Sequence, residues 1–253
     1  MQVYRELRIL TARPTDADEA AVPHRLYGHV PAYEAYSVAR YVKDAALAIA
    51  EAQAQGLRPI LTGGTGLYFK ALLEGLSPIP AIADEIRAFW RTQAEVQDGP
   101  VLHAMLARRD PAMAERLAPS DRQRIVRALE VLDATGRSLA VWQTQPGTPI
   151  IAGPVTKLLV SRPRAQLHAR AEARFDAMIA AGALEEAAAL AALALDPALP
   201  AMRALGLAPL IAAARGTISL EAATAQAKAE TRQYIKRQET WFRKHMISWD
   251  VVT

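Results

Sequence analysis

Hydrophobic and polar positions change period along the first third of the chain. Apolar residues recur at helical spacing over 38–55, and Ser37 just before them is a typical helix N-cap. The short apolar run 58–61 predicts a buried strand, followed by a glycine turn at 63–66 and a helix over 67–74. Helix, strand, turn and helix in this order are typical of an α/β protein with a parallel sheet.

The middle of the chain has a different pattern, more charged and helical throughout. Prolines at 78 and 80 interrupt the α/β order, and helical spacing then continues over about 84–144. Ser120 and Gln123 stand three residues apart and predict a capping box, in which each side chain binds the other residue's backbone N–H. Gly136 predicts the end of that helix.

The last third returns to the first pattern. The apolar run 157–160 predicts a strand that rejoins the sheet, and long helices are predicted over 166–181 and about 220–245. We therefore divide the chain into an α/β core formed by 1–81 and 147–253, and a helical insertion formed by 82–146.

The amino-acid composition excludes several kinds of functional site. The 253 residues are 51% hydrophobic, enough for a sizeable core, and include no cysteine. Disulfides, thiolate metal sites and cysteine nucleophiles are therefore excluded. No apolar run approaches a membrane span and no signal peptide is recognisable, so we expect a cytoplasmic protein without membrane contact. A net charge of +4 is compatible with an anionic partner but does not identify one.

The glycine turn is the first candidate for chemistry. In Gly63-Gly64-Thr65-Gly66 a strand-to-helix turn exposes backbone N–H groups at a helix N-terminus, where they attract anions. Thr65 adds a hydroxyl group. A tight turn without any ligand is the alternative, and the residues alone favour it.

Two basic segments are the other candidates. Asp121-Arg122-Gln123-Arg124 begins one helix, and its arginines suit phosphate groups, while the alternative is a capped helix start in water. On the final helix, the spacing of Arg232, Lys236 and Arg243 places three basic residues on one face. The alternative there is an amphipathic helix that packs Ile235 and Phe242 into the core and leaves its basic residues in water.

Four segments together resemble the tRNA dimethylallyltransferases. They are Met1-Gln2-Val3-Tyr4, Thr62–Tyr68, Asp121–Arg124 and Thr231–Gln238, and the resemblance runs along nearly the whole chain. Arg122 departs from the family, which usually has proline there. The resemblance implies a P-loop NTPase-like parallel sheet with an inserted helical domain that clamps the tRNA anticodon stem-loop. It also implies transfer of a dimethylallyl group from dimethylallyl diphosphate to N6 of the adenosine immediately 3′ of the anticodon.

The resemblance also implies roles for particular residues. Thr65 positions the reacting groups as the catalytic residue, Gln2 binds the extruded adenine, and Arg87 contacts tRNA near the target base. Residues implied in tRNA binding are Gln2, Arg87, Asp121, Arg122, Gln123, Arg124, Arg203, Arg232, Gln233, Lys236 and Arg237. Those implied in diphosphate binding are Gly63, Gly64, Arg170 and Arg174. Leu207 and Ala208 stand where the family often has an aromatic and a basic residue, which limits RNA contact there to Arg203. His24 is interpreted as a structural loop residue.

The family's first catalytic segment has no counterpart in this sequence. That segment is a G-x-x-x-x-G-K-[ST] loop for the diphosphate and Mg²⁺, followed by a general-base aspartate, and no such loop occurs here. We therefore expect no metal ligand in this chain and, as given, little or no activity. Two alternatives remain, a non-catalytic RNA-binding remnant and a small-molecule kinase related to the P-loop proteins. The family resemblance further favours a monomer.

Overall fold

A computed structural model describes residues 1–253, and the chain divides into two compact units. One unit comprises Met1–Lys70 and Ile151–Thr253, and the other comprises Ala71–Ile150. The predicted insertion, 82–146, lies inside the second unit, whose bounds extend further on both sides. They extend because the backbone N–H of Ile150 donates to the carbonyl oxygen of Leu72 at 2.9 Å, which ties the two ends of this unit together.

The first unit is rich in helices. In chain order they are α1 (Asp16–Ala21), α2 (Val38–Ala54), α3 (Gly66–Glu74, which begins in this unit), α9 (Arg164–Ala180), α10 (Ala183–Ala192), a 3₁₀ helix (Pro200–Arg203), α11 (Leu207–Ala214) and α12 (Leu220–His245). The second unit contains α4 (Asp84–Val96), α5 (Gly99–Arg109), α6 (Pro111–Ala114), α7 (Arg122–Thr135) and α8 (Leu139–Trp142). No helix combines the length and the apolar character needed to cross a membrane.

The sheet is small and parallel. It consists of β1 (Leu158–Val160) and β2 (Asp250–Val252), paired in the register Leu158 to Asp250. The predicted strand 157–160 is therefore confirmed, and the protein is a helix-rich α/β protein. The strand predicted at 58–61 is wrong, since no ladder forms there and Ile60 is 81% exposed. A strand exists only beside a bonded neighbour, and this segment has none.

Local signals located most helices correctly. The hydroxyl of Ser37 accepts a hydrogen bond from the N–H of Arg40 at 3.1 Å, so the predicted helix 38–55 is confirmed as α2 with its cap. The long final helix is confirmed as α12. The capping box at Ser120 is wrong, because Asp121 is the N-cap of α7 and its carboxylate accepts from the N–H of Arg124.

Each unit has its own hydrophobic core. In the first unit the N-terminal loop packs on α9, α10, α11 and α12 through the buried residues Tyr4, Leu7, Val30, Phe175, Leu190, Leu207, Leu210 and Ala227. In the second unit α4, α5 and α7 pack through Trp90, Leu102, Leu106, Ile125 and Leu129. Ile235 and Phe242, expected in the core, are only half-buried. The buried positions of α12 are instead Ala223 and Ala227, near its N-terminal end.

Candidate active site

The glycine turn rests on the last third of α12. The side-chain amide of Gln238 donates a hydrogen bond to the carbonyl oxygen of Gly64 at 2.8 Å. Immediately after the turn, the N–H of Tyr68 donates to the carbonyl oxygen of Thr65 at 2.9 Å and begins α3. The turn that carries Thr65 is therefore fixed by α3 on one side and by α12 on the other.

The same helix explains why two positions of the turn are glycine. A Cβ atom at Gly64 would overlap the amide nitrogen of Gln238, and one at Gly66 would overlap the ring of Trp241. At Gly63 nothing lies within 4 Å of such an atom. The glycines at 64 and 66 therefore allow a close approach by α12, whereas Gly63 faces open space.

Thr65 is available to a ligand. The residue is exposed, and its hydroxyl makes no hydrogen bond within the protein. The backbone N–H groups of Gly66 and Leu67, in the first turn of α3, have no acceptor in the chain either, as is usual at a helix N-terminus. A hydroxyl and unbonded amides thus lie together where the helix dipole favours an anion. The diphosphate-binding roles of Gly63 and Gly64 stay predictions.

Tyrosine rings lie close to this turn. The rings of Tyr41 and Tyr68 stack with their centroids 3.9 Å apart and their planes inclined by 15°. The hydroxyl of Tyr27 lies 3.5 Å from that of Thr62. Burial, assisted by the neighbouring Tyr68, raises the pKa of Tyr41 to about 12. This phenol is therefore neutral at physiological pH and provides an apolar surface with a protonated hydroxyl.

Gln2 lies on an N-terminal loop, part of which is bonded to a residue far away in the sequence. Its side-chain amide donates to the carbonyl oxygen of Ala12 at 3.0 Å. The carboxylate of Glu186, on α10, accepts from three consecutive backbone N–H groups, those of Arg8 at 2.8 Å, Ile9 at 2.7 Å and Leu10 at 2.9 Å. This carboxylate therefore fixes residues 8–10 of the loop, whereas the carbonyl oxygen of Gln2 itself accepts from the N–H of Gly28 at 2.9 Å. The adenine-binding role of Gln2 stays a prediction.

An open groove of about 340 Å³ runs between α9 and α12. Its lining residues are Arg164, His168, Ala229, Arg232, Gln233 and Lys236. Arg232 is paired with Glu172 of α9 at 2.6 Å, and Arg164 is paired with Glu239 at 2.5 Å. Part of the basic surface is thus used to join the two helices, and Lys236 is exposed without an ion pair.

The remaining basic residues of this unit are dispersed. Arg237 lies over the ring of Tyr234, with 5.6 Å from the guanidinium carbon to the ring centroid. Arg170, Arg174 and Arg203 are all exposed and form no ion pair. Arg170 and Arg174 do not line the groove between α9 and α12, since that groove follows another face of α9. Their diphosphate-binding role stays a prediction that this groove does not support.

His24 makes local contacts in its loop. Its ring Nδ1 lies 2.7 Å from the carbonyl oxygen of Val22, and the ring meets that of Tyr27 edge-on. This arrangement agrees with the loop role expected for His24.

The second unit carries the other predicted tRNA-binding residues, and most are engaged within it. Arg87 pairs with Asp84 at 3.6 Å, and Arg124 pairs with Asp121 at 3.0 Å. The guanidinium of Arg122 donates to the carbonyl oxygens of Ala94 and of Gln97, the latter at 2.8 Å, and so closes the C-terminal end of α4.

These contacts weaken the interpretation that Asp121–Arg124 as a whole binds phosphate groups. The guanidinium of Arg122 already has partners within the unit, and Asp121 acts as a helix cap. Gln123 and Arg124 remain exposed, Arg124 with 74% of its side chain accessible. The tRNA-binding roles of all four residues stay predictions, and only Gln123 has no side-chain contact to give up.

The resemblance implies Mg²⁺ as a cofactor. No group of three or more His, Cys, Asp or Glu side chains is arranged to hold a metal ion. Mg²⁺ usually takes only one or two ligands from a protein and the rest from substrate phosphates and water. Mg²⁺ stays a prediction from the resemblance.

Sequence reasoning missed two residues that shape the site, Gln238 and Glu186. Gln238 is separated from Gly64 by 174 positions, and Glu186 from Arg8 by 178. No local pattern reveals such partners. The nearest signal was the position of Gln238 at the end of the segment Thr231–Gln238.

Comparison with known proteins agrees with the four motifs. The family model described as IPP transferase matches residues 2–245. A tRNA dimethylallyltransferase of Parvibaculum lavamentivorans is 55% identical over 250 residues, covering 98% of this chain and 79% of that protein. The tRNA dimethylallyltransferase of Nitrobacter hamburgensis is 54% identical over 248 residues, covering 97% and 78%.

Solved structures give the same result. A eukaryotic dimethylallyltransferase acting on tRNA superposes with a TM-score of 0.79 at 25% identity, covering 96% of this chain and 61% of that one. The tRNA isopentenylpyrophosphate transferase of Bacillus halodurans gives 0.67 at 28% identity, covering 99% and 78%. These matches give no support to the expected inactivity of the chain. The chain therefore belongs to the IPP transferase family, the prenyl transferases that include the tRNA dimethylallyltransferases named above.

Proposed function

We propose that the chain transfers a dimethylallyl group from dimethylallyl diphosphate to N6 of the adenosine immediately 3′ of the anticodon in tRNA. In this reaction the bond between N6 and the allylic carbon forms, the bond from that carbon to the diphosphate oxygen breaks and releases diphosphate, and the proton of the amine passes to water. In this proposal the protein acts as a monomer, with a P-loop-like α/β core and an inserted helical domain.

The observation that carries this proposal is the turn at Thr65. An exposed hydroxyl and unbonded helix N-terminal amides lie together on a backbone that α12 holds in place. Such donors stabilise the charge that develops on a departing diphosphate without reorganising during the reaction. The Thr65 hydroxyl orients the diphosphate toward the amine, and the amides of Gly66 and Leu67 bind its oxygens.

The neighbouring groups suit the other two parts of the substrates. The stacked pair Tyr41 and Tyr68 offers an apolar surface of the kind a dimethylallyl group requires. Gln2 presents a side-chain carbonyl oxygen for the base edge of the extruded adenine, since its amide is bonded to Ala12. Lys236 and Arg237 are exposed cations on α12 that suit RNA phosphates.

The proposal is tested by direct transfer. The purified chain is incubated with unmodified tRNA, Mg²⁺ and radiolabelled dimethylallyl diphosphate, and the tRNA is digested to nucleosides for chromatography. We expect label in a single N6-modified adenosine, and a loss of about 100-fold in kcat for Thr65→Ala. Thr62→Ala removes a hydroxyl from the same turn and serves as the matched control, with little change expected.

Two results would count against the proposal. Binding of tRNA with steep salt dependence but no transfer of label would favour the RNA-binding alternative. If the chain shows no tRNA binding and no transfer, both the transferase and the RNA-binding alternative are excluded, and the small-molecule kinase alternative remains. If Thr65→Ala and Thr62→Ala are equally active, the proposed reaction stands but the catalytic role of Thr65 is excluded.

A further inference from the structure

The side chain of Gln238, on α12, bonds to the turn that carries Thr65. Its amide Nε2 donates to the carbonyl oxygen of Gly64 at 2.8 Å, and the side chain is half-buried. That carbonyl belongs to the peptide group whose N–H is on Thr65. The orientation of this peptide group therefore determines where both the Thr65 N–H and the Thr65 side chain point.

The donor is held on a fixed support. Salt bridges join α12 to α9 at Lys228 to Asp176, 2.6 Å, and at Arg232 to Glu172, 2.6 Å. One turn beyond Gln238, the ring of Trp241 lies against Gly66 with no room for a Cβ atom between them. The turn thus meets α12 twice, through a hydrogen bond at Gly64 and through ring contact at Gly66.

We propose that Gln238 is a positioning residue, which fixes the Gly64–Thr65 peptide group in the orientation that transfer requires. The neighbouring Lys236 and Arg237 point basic groups to solvent, whereas Gln238 contacts the protein's own backbone. Gln238 therefore serves the reacting centre rather than the RNA, although it lies in the segment that resembles a tRNA-contacting one. This inference rests on the proposed function of Thr65.

The chemistry of the contact restricts what can replace glutamine. The acceptor is a carbonyl oxygen, so the side chain must donate, and it must span the distance from α12. Glutamate has the same length but at neutral pH offers only acceptors to that oxygen. Methionine keeps the length and volume without a donor. Both substitutions remove the hydrogen bond while leaving the contact between Trp241 and Gly66 in place.

The experiment compares Gln238→Met and Gln238→Glu with Thr240→Ala, which alters an exposed side chain two residues further along α12. Steady-state transfer gives kcat and the KM for tRNA. Amide hydrogen exchange of Tyr68, followed by NMR, reports on the turn independently of activity, because the N–H of Tyr68 is bonded to the Thr65 carbonyl oxygen. Exchange is measured on the whole chain without substrates.

For both Gln238 variants we expect kcat to fall by about 10- to 100-fold, because a small displacement of a reacting group has an effect of this size. We expect the KM for tRNA to stay within about twofold, and the exchange of Tyr68 to quicken by about tenfold. Thr240→Ala should change none of the three quantities.

Other outcomes separate this inference from the proposed function. A raised KM for tRNA with unchanged kcat and unchanged exchange would show that Gln238 contacts RNA, and would overturn the inference. Unchanged exchange together with unchanged kinetics would also overturn it. If the unaltered chain transfers no dimethylallyl group, the proposed function fails, and the exchange of Tyr68 alone then decides whether Gln238 holds the turn.

Discussion

Replacing Glu186 with glutamine tests how the N-terminal loop is held. In the structure one carboxylate accepts from the N–H groups of Arg8, Ile9 and Leu10, at 2.7–2.9 Å. Hydrogen bonds to a charged group contribute about 1.5–3 kcal/mol each, roughly twice the value for neutral pairs. Glutamine keeps one neutral acceptor oxygen and places an NH₂ group against the remaining donors.

The expected loss follows from those numbers. Oε2 serves Arg8 and Ile9, and Oε1 serves Leu10, so the amide can satisfy at most part of the set. The N–H of Arg8 is exposed and water can replace its acceptor, whereas the other two bonds are partly buried. We therefore expect Glu186→Gln to lower the free energy of unfolding by about 2–4 kcal/mol.

Urea unfolding measures this difference, and Glu185→Gln is the matched control. Glu185 lies in the same first turn of α10, is exposed and accepts no hydrogen bond from another residue, so the two variants lose the same charge at the same helix end. The loss of a helix-dipole interaction, about 0.3–1 kcal/mol, is common to both. Equal destabilisation by the two substitutions would refute the view that Glu186 clamps the loop.

Two further predictions concern the surroundings of Thr65. Gly66→Ala should lower the free energy of unfolding by about 1–3 kcal/mol, since the new methyl group would overlap the ring of Trp241. The double variant Gly66→Ala with Trp241→Ala should lose less stability than the sum of the two single losses. Thermal unfolding of the single and double variants checks this, and purely additive effects would contradict the steric argument. Tyr41→Phe should remove one phenol with a pKa of about 12 from the tyrosinate absorbance titration. Because that pKa is raised in the folded state, the stabilisation it reports is complete below the ordinary tyrosine pKa of about 10 and is lost as pH rises to about 12. A phenol at position 41 that titrates near 10 would show that the ring is not buried as described.

Much of the helical part of the fold was predictable because its signals are local. Ser37 caps α2 at the residue that the sequence indicates, and α12 follows its apolar and polar spacing from Leu220 to His245. The α7 cap was misplaced by one residue, since Ser120 and Asp121 are both competent acceptors and only the backbone geometry selects between them. Strand β1 was found from its apolar run, but β2 was not.

Most helices, the cap of α2, the position of the glycine turn and the family that the motifs resemble could be read from the chain alone, because each depends on residues a few positions apart. Which residues these elements contact depends on how the chain folds as a whole. It left 58–61 without a strand partner, paired β1 with β2, turned Arg122 toward the end of α4 and placed Gln238 beneath Gly64. Such partners lie up to 174 positions apart along the chain, and chain spacing carries no information about which of them meet.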